Sequence, residues 1–134
     1  MTKDINLSDI IMDNMKFVKN SQTSKRKLVF DKYGGKCAYC GTNLVLTKFD
    51  IDHINPKSLG GTNELKNLNP SCQRCNSWKK TFSIEEFREV IKSQVKKLRK
   101  DIAAFKLVED YFMVKDCENE VKFYFEINNR GKHD

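Results

Sequence analysis

The sequence predicts an α+β fold built around a metal staple, and three observations carry that prediction. Two cysteine pairs, Cys37-Ala38-Tyr39-Cys40 and Cys72-Gln73-Arg74-Cys75, stand at metal-ligand spacing with thirty-one residues between them. Within that interval lie short runs rich in Val, Leu and Ile, of strand length rather than helix length. Beyond the second pair, apolar residues recur at helical spacing from Ile84 to Phe105. A C-x-x-C turn offers two sulfurs from one tight knuckle, and two knuckles complete a four-thiolate site for zinc. The loop closed by such an ion holds Asp52, His53 and Asn67.

Taken in chain order, Ile5, Leu7, Ile10, Ile11, Met15 and Val18 give a loosely helical first segment, and 19–24 is a polar linker. Ser24 is placed to cap a helix running through Lys32, with Leu28, Val29 and Tyr33 towards its buried side. Gly34-Gly35 ends it and leads into the first knuckle. Leu44–Leu46 and Phe49–Ile54 are strand candidates, and Pro56–Asn63 is a loop bent at Gly60-Gly61. A second strand is expected at Lys66–Asn69, ended by Pro70. A helix then starts at Ser71 or Cys75 and carries Asn76, Lys79 and Lys80 on its first turns.

Ser83-Ile84-Glu85-Glu86 is a capping box. The helix it opens has an apolar stripe of Ile84, Phe87, Ile91, Val95, Leu98, Ile102 and Phe105, and no Gly or Pro stops it before about Val114. A break near Asp101 fits the same pattern. Val121, Phe123, Phe125 and Ile127 alternate as a half-buried C-terminal strand. The expected organisation is an N-terminal helix and linker at 1–23, a core at 24–82 and an extension at 83–134, in one compact domain.

Charge is unevenly spread. Of the net +7, residues 1–35 carry +3, residues 36–82 carry +4 and residues 83–134 carry zero. The positive field therefore sits on the cysteine-bearing region and the segment leading into it, where it would attract a polyanion. Lys92, Lys96, Lys97, Arg99 and Lys100 crowd one helix face, which serves equally as a nucleic-acid contact or an ordinary solvated surface. No apolar run is long enough for a membrane span, and the first residues lack the pattern of a secretory signal. Four paired cysteines suit a reducing cytoplasm better than a disulfide scaffold, and Cys117 is left over as a free thiol.

The run C37-x-x-C40, D52-H53-I54-x-P56-x-S58-x-G60-G61, N67-L68, C72-x-x-C75-N76-x-x-K79 resembles the zinc-stapled branch of the HNH endonucleases. The intervals from His53 to Asn67, fourteen, and from His53 to Asn76, twenty-three, match spacings seen in that family. The resemblance covers roughly residues 24–82 and implies a ββα-metal core. It further implies a metal-dependent DNA endonuclease, nicking or cutting both strands, in a bacterial or phage-infected cell. Small phage-encoded members suggest packaging or recombination proteins as partners. A single active site cuts one strand at a time, so double-strand cleavage would call for a homodimer or two visits.

The residues themselves suit that chemistry. His53 can take a proton from water as general base. Asp52 offers a hard carboxylate oxygen and Asn76 an amide oxygen for Mg²⁺ or Mn²⁺. The resemblance gives Asn67 the part of tying the strands together near the histidine, and Lys79 could hold a phosphate or offset developing charge. Family members commonly place a histidine where Asn76 stands, and the Asp-His/Asn/Asn form is also active. Lys57, Arg74 and Lys80 are further candidates for DNA contact. Zinc could take His53 with three thiolates, although four cysteines make that unnecessary. The alternative class is a non-catalytic zinc-ribbon module that binds DNA or RNA, which would have no use for Asp52, His53 and Asn76 at these intervals. A toxin-type nuclease held by an immunity partner is a third reading.

Overall fold

The computed structural model describes residues 21–128, so the helical reading of 5–18 and the tail carrying His133 lie outside the described residues. The first described element, α1, spans Ser21–Asp31. Ser24 is thus inside the helix rather than its cap. Val29 is fully buried against Phe49 and Leu68, whereas Leu28 is exposed and Tyr33 half-buried. Gly34 and Gly35 end the helix at φ +62° and +77°. Gly35 returns its N–H to the Phe30 carbonyl, and a Cβ there would lie 2.9 Å from the Phe30 ring.

The first knuckle follows directly. Cys37 N–H donates to Thr42 O, Gly41 N–H donates to Cys37 O, and Lys36 bridges Asn43 across the turn. The expected strand Leu44–Leu46 is absent. Its backbone instead turns, with Lys48 N–H bonded to Val45 O and the Leu46 carbonyl held by Arg26. Val45 and Leu46 stay exposed, and no strand among the described residues lies alongside them.

The sheet has two antiparallel strands, β1 at Asp50–His53 and β2 at Leu68–Ser71, paired from Asp50↔Ser71 to His53↔Leu68. Pro70 is inside β2 rather than after it. Among the described residues no third strand calls on a donor at this edge, so a residue without an N–H is tolerated there. The Pro70 carbonyl accepts from Ala38 N–H at 2.8 Å and so ties the sheet to the knuckle. Between the strands run two 3-10 turns, Lys57–Leu59 and Leu65–Asn67. Helix α2, Gln73–Lys79, begins at the second knuckle, where the Cys72 sulfur accepts the N–H of Cys75 as its cap. The order strand, strand, helix makes this the ββα unit of an α+β fold, flanked by further helices.

Ser83 caps α3, Ile84–Lys92, through Glu86 N–H. The stripe is divided into α3, α4 at Gln94–Asp101 and α5 at Ala103–Asp110, with one break falling beside Asp101, as the pattern allowed, and another at Ser93 that it did not mark. Arg99 forks onto Glu109 at 2.8–3.0 Å and reaches Asp116 at 2.7 Å, pinning α4 to α5.

The C-terminal strand is a correction. Tyr124–Asn128 is a helical turn, α6, and 121–123 is irregular. Phe123 N–H is taken by the Glu126 carboxylate, as in a capping box, and Arg88 of α3 grips the same carboxylate. Tyr124 and Phe125 donate their N–H groups to Tyr39 and Ala38 carbonyls, so the knuckle rather than a strand satisfies this backbone. Phe123 then stacks on Phe87 at 5.2 Å and meets Tyr39 edge-on at 5.4 Å. The main core therefore joins aromatic rings to two of the four cysteines, with Cys37, Tyr39, Cys75, Phe87 and Phe123 in one buried cluster.

Candidate active site and metal centre

The four sulfurs of Cys37, Cys40, Cys72 and Cys75 all lie within 4.8 Å of one another, and Cys40 and Cys72 are 3.8 Å apart. A tetrahedral ion with ~2.3 Å bonds to sulfur sets its ligands ~3.8 Å apart, so the donor set fits a four-coordinate metal. Backbone N–H groups of Cys72 and Cys75 point at Cys37 and Cys72 sulfurs, at 3.3 and 3.4 Å. The thiols also hold one another's protons. The hydrogen bond from Cys75 lowers Cys37 to about 4, and that same contact, followed by burial, pushes Cys75 up. Such a cluster is short of positive charge, which a bound metal ion supplies.

His53 ends β1 on the rim of a cleft of about 270 Å³ that it shares with Asp52, Lys57, Asn76 and Lys80. Its Nε2 lies 2.8 Å from the Asn63 side-chain oxygen. Asn67 sits behind it. Its amide accepts from Asn55 N–H at 2.9 Å and donates to the Asn55 and Thr62 carbonyls at 3.0 and 2.8 Å. Both backbone groups of a residue two places after the histidine are thereby fixed. Ile54 N–H continues the ladder to Asn67 O.

Asn76, on α2, donates its NH₂ to Asp50 at 3.2 Å. Its amide oxygen takes no hydrogen bond among the described residues and is the atom left for a cation. Asp50 was not singled out from the sequence, although its place two residues before Asp52 puts both on one face of β1.

Asp52 is 4% exposed, and its Oδ2 accepts from both the Tyr39 hydroxyl and Lys79 Nζ, the latter at 2.9 Å. Burial raises its pKa, partly offset by these two donors. Its Oδ1 has no protein donor among the described residues, and the residue lines the cleft beside Asn76. Asp52 and Asn76 thus line one cleft with two hard oxygens, the donor type that would hold a divalent cation such as Mg²⁺ or Mn²⁺.

Lys79 departs from the sequence expectation. It is 0% exposed, paired with Asp52 and bonded to the His53 carbonyl at 2.9 Å, so it cannot reach a phosphate. Helical geometry is the reason, because Lys79 lies one turn after Cys75 on the inward face of α2. Lys57 and Lys80 do line the cleft, whereas Arg74 lies beside Cys40 on a separate groove with Trp78 and Ile91.

With the strands, helix and knuckles in place, residues 37–91 match the sequence profile of the HNH endonucleases, and the chain spans well under a third of the curated relatives it matches. Over 60 residues it is 38% identical to the CRISPR-associated endonuclease Cas9 of Corynebacterium diphtheriae, covering 37% of this chain and 6% of that protein. Over 68 residues it is 31% identical to the "SPbeta prophage-derived putative HNH endonuclease YoqL" of Bacillus subtilis, covering 42% of this chain and 28% of YoqL. Among solved structures, it is similar to the Type II-C Cas9 enzyme from Actinomyces naeslundii with a TM-score of 0.46 and 21% identity. That overlap covers 61% of this chain and 11% of the other.

Proposed function

We propose that this protein is a metal-dependent DNA endonuclease that hydrolyses phosphodiester bonds, with a structural zinc on the four cysteines. The observation that carries the reading is the convergence of His53, Asp52 and Asn76 on one cleft rimmed by Lys57 and Lys80. His53 accepts the proton of the attacking water as general base. Asp52 and Asn76 would hold a Mg²⁺ or Mn²⁺ ion, which when bound supplies Lewis-acid stabilisation of the developing charge. Lys57 and Lys80 draw the DNA backbone to the cleft mouth. Asn67 holds the β1 terminus so that the imidazole keeps its place, and Lys79 does the same from beneath through the His53 carbonyl. The prophage origin in one relative's name suits a phage or mobile-element setting, and thiolate ligands suit a reducing cytoplasm.

The test is nicking of supercoiled plasmid with added Mg²⁺ or Mn²⁺, with and without chelator, for wild-type protein and His53→Ala. Cleavage that needs the divalent ion and His53 supports the reading. DNA binding with no cleavage under any divalent ion would replace it with the non-catalytic zinc-ribbon module.

A further inference from the structure

We infer that Asn63 is a positioning residue for the histidine, fixing the proton on His53 Nε2 so that Nδ1 is the basic atom. The inference rests on the nuclease reading for its catalytic meaning and on the hydrogen bond for its geometry. The Asn63 Oδ1 to His53 Nε2 distance is 2.8 Å. An amide oxygen only accepts, so the ring nitrogen facing it must carry the hydrogen. A neutral imidazole has a single N–H, which leaves the lone pair on Nδ1. While Nε2 donates to Asn63 it cannot take a proton from water, so one ring atom alone is available for that step.

Asn63 is itself held from several directions. Its carbonyl accepts from Lys25 Nζ of α1 at 2.5 Å. The carbonyl of Thr62, next to it, accepts from Asn67 at 2.8 Å. Just before it the chain passes so close to itself at Gly61 that a Cβ would lie 1.7 Å from the Asn55 carbonyl oxygen. The strand end is fixed by Lys79 on the His53 carbonyl and by Asn67 on Asn55. The imidazole is therefore anchored at its backbone and at its far nitrogen, and the Asn67 side chain braces both the strand end and the loop that carries Asn63. Nothing in the sequence marks Asn63, since an asparagine in a glycine-bent loop has turn chemistry as a sufficient explanation.

The experiment uses zinc-loaded full-length protein labelled with ¹⁵N in its imidazoles. The chain has two histidines, and His133→Gln assigns them. At ~pH 8 an ordinary imidazole is neutral. The wild-type His53 nitrogens should then resonate far apart, Nε2 protonated and Nδ1 bare. Asn63→Ala should draw them towards each other as the two tautomers exchange, while Asn63→Asp, which keeps an oxygen acceptor, should hold them apart. Single-turnover cleavage at saturating DNA should fall about 10- to 100-fold in Asn63→Ala, the loss expected of a catalytic group released from its alignment. DNA affinity should be unchanged, and Asn63→Asp should recover most of the rate. A wild-type ring protonated on Nδ1, or nitrogen shifts unaltered by Asn63→Ala, would overturn the assignment. Wild-type protein with the fixed tautomer but no cleavage of any DNA would overturn the nuclease reading instead.

Discussion

Replacing Lys79 with Met keeps the volume of the side chain and removes its charge, and the structure sets how much that should matter. Lys79 and Asp52 are 0% and 4% exposed, with Nζ and Oδ2 2.9 Å apart. At an effective dielectric of ~20 the attraction at that distance is about 6 kcal/mol, gained against a comparable cost of dehydrating both ions. The pair as a whole is therefore worth little. Taking one member away leaves a buried carboxylate with the Tyr39 hydroxyl as its remaining donor, and a loss of ~3–5 kcal/mol is expected. At roughly 3–5 °C per kcal/mol for a chain of this size, the melting temperature should drop on the order of 10–20 °C. Adding Asp52→Asn should restore much of the loss, with a coupling energy of ~2 kcal/mol in the double-mutant cycle.

The pH dependence has a definite sign. Burial already raises the Asp52 pKa, and losing Lys79 raises it further. The folded variant then holds a proton above the range where the unfolded chain releases it. The stability that this proton confers is lost as pH rises through the raised value. The gap between variant and wild type should narrow as pH falls from ~8 towards ~5.5. Urea denaturation of zinc-loaded protein, followed by circular dichroism at several pH values, measures all of this. A Lys79→Met protein within ~0.5 kcal/mol of wild type that bound DNA more weakly would show an exposed, phosphate-holding lysine and refute the reasoning.

Three other outcomes are expected. Wild-type protein should retain about one zinc per chain on elemental analysis, and Cys75→Ser should lose both the metal and the cooperative unfolding transition. A well-folded, metal-free Cys75→Ser protein would show that the staple is dispensable. His53→Ala should bind DNA and melt like wild type, because its side chain lies on a cleft rim, yet nick plasmid about 10² or more slower. Gly61→Ala should destabilise by ~1–3 kcal/mol through collision with the Asn55 carbonyl, and should also slow cleavage by displacing Asn63. Unchanged melting in that variant would mean the loop has room that the structure denies it.

The sequence by itself determined what short-range rules govern. A C-x-x-C turn, a Ser83–Glu86 capping box and a pair of helix-ending glycines each act over about four residues, so their outcomes are written locally. The intervals among His53, Asn67 and Asn76 likewise pointed to one region, in which His53 and Asn76 line a cleft and Asn67 holds the strand end behind it. Alternation at 121–127 misled, because Phe123 and Phe125 satisfy a strand pattern while the Glu126 cap and the knuckle carbonyls select a turn of helix. Lys79 misled for a related reason. A lysine is ordinarily solvated, and only the approach of β1 to α2 supplies the Asp52 carboxylate that lets it be buried. Tyr39 and Asn63 had no sequence signal, and Asp50 had only its place two residues before Asp52. Each acts on a partner ten or more residues away, and closing the chain between two knuckles, rather than any local preference, decides which polar groups meet.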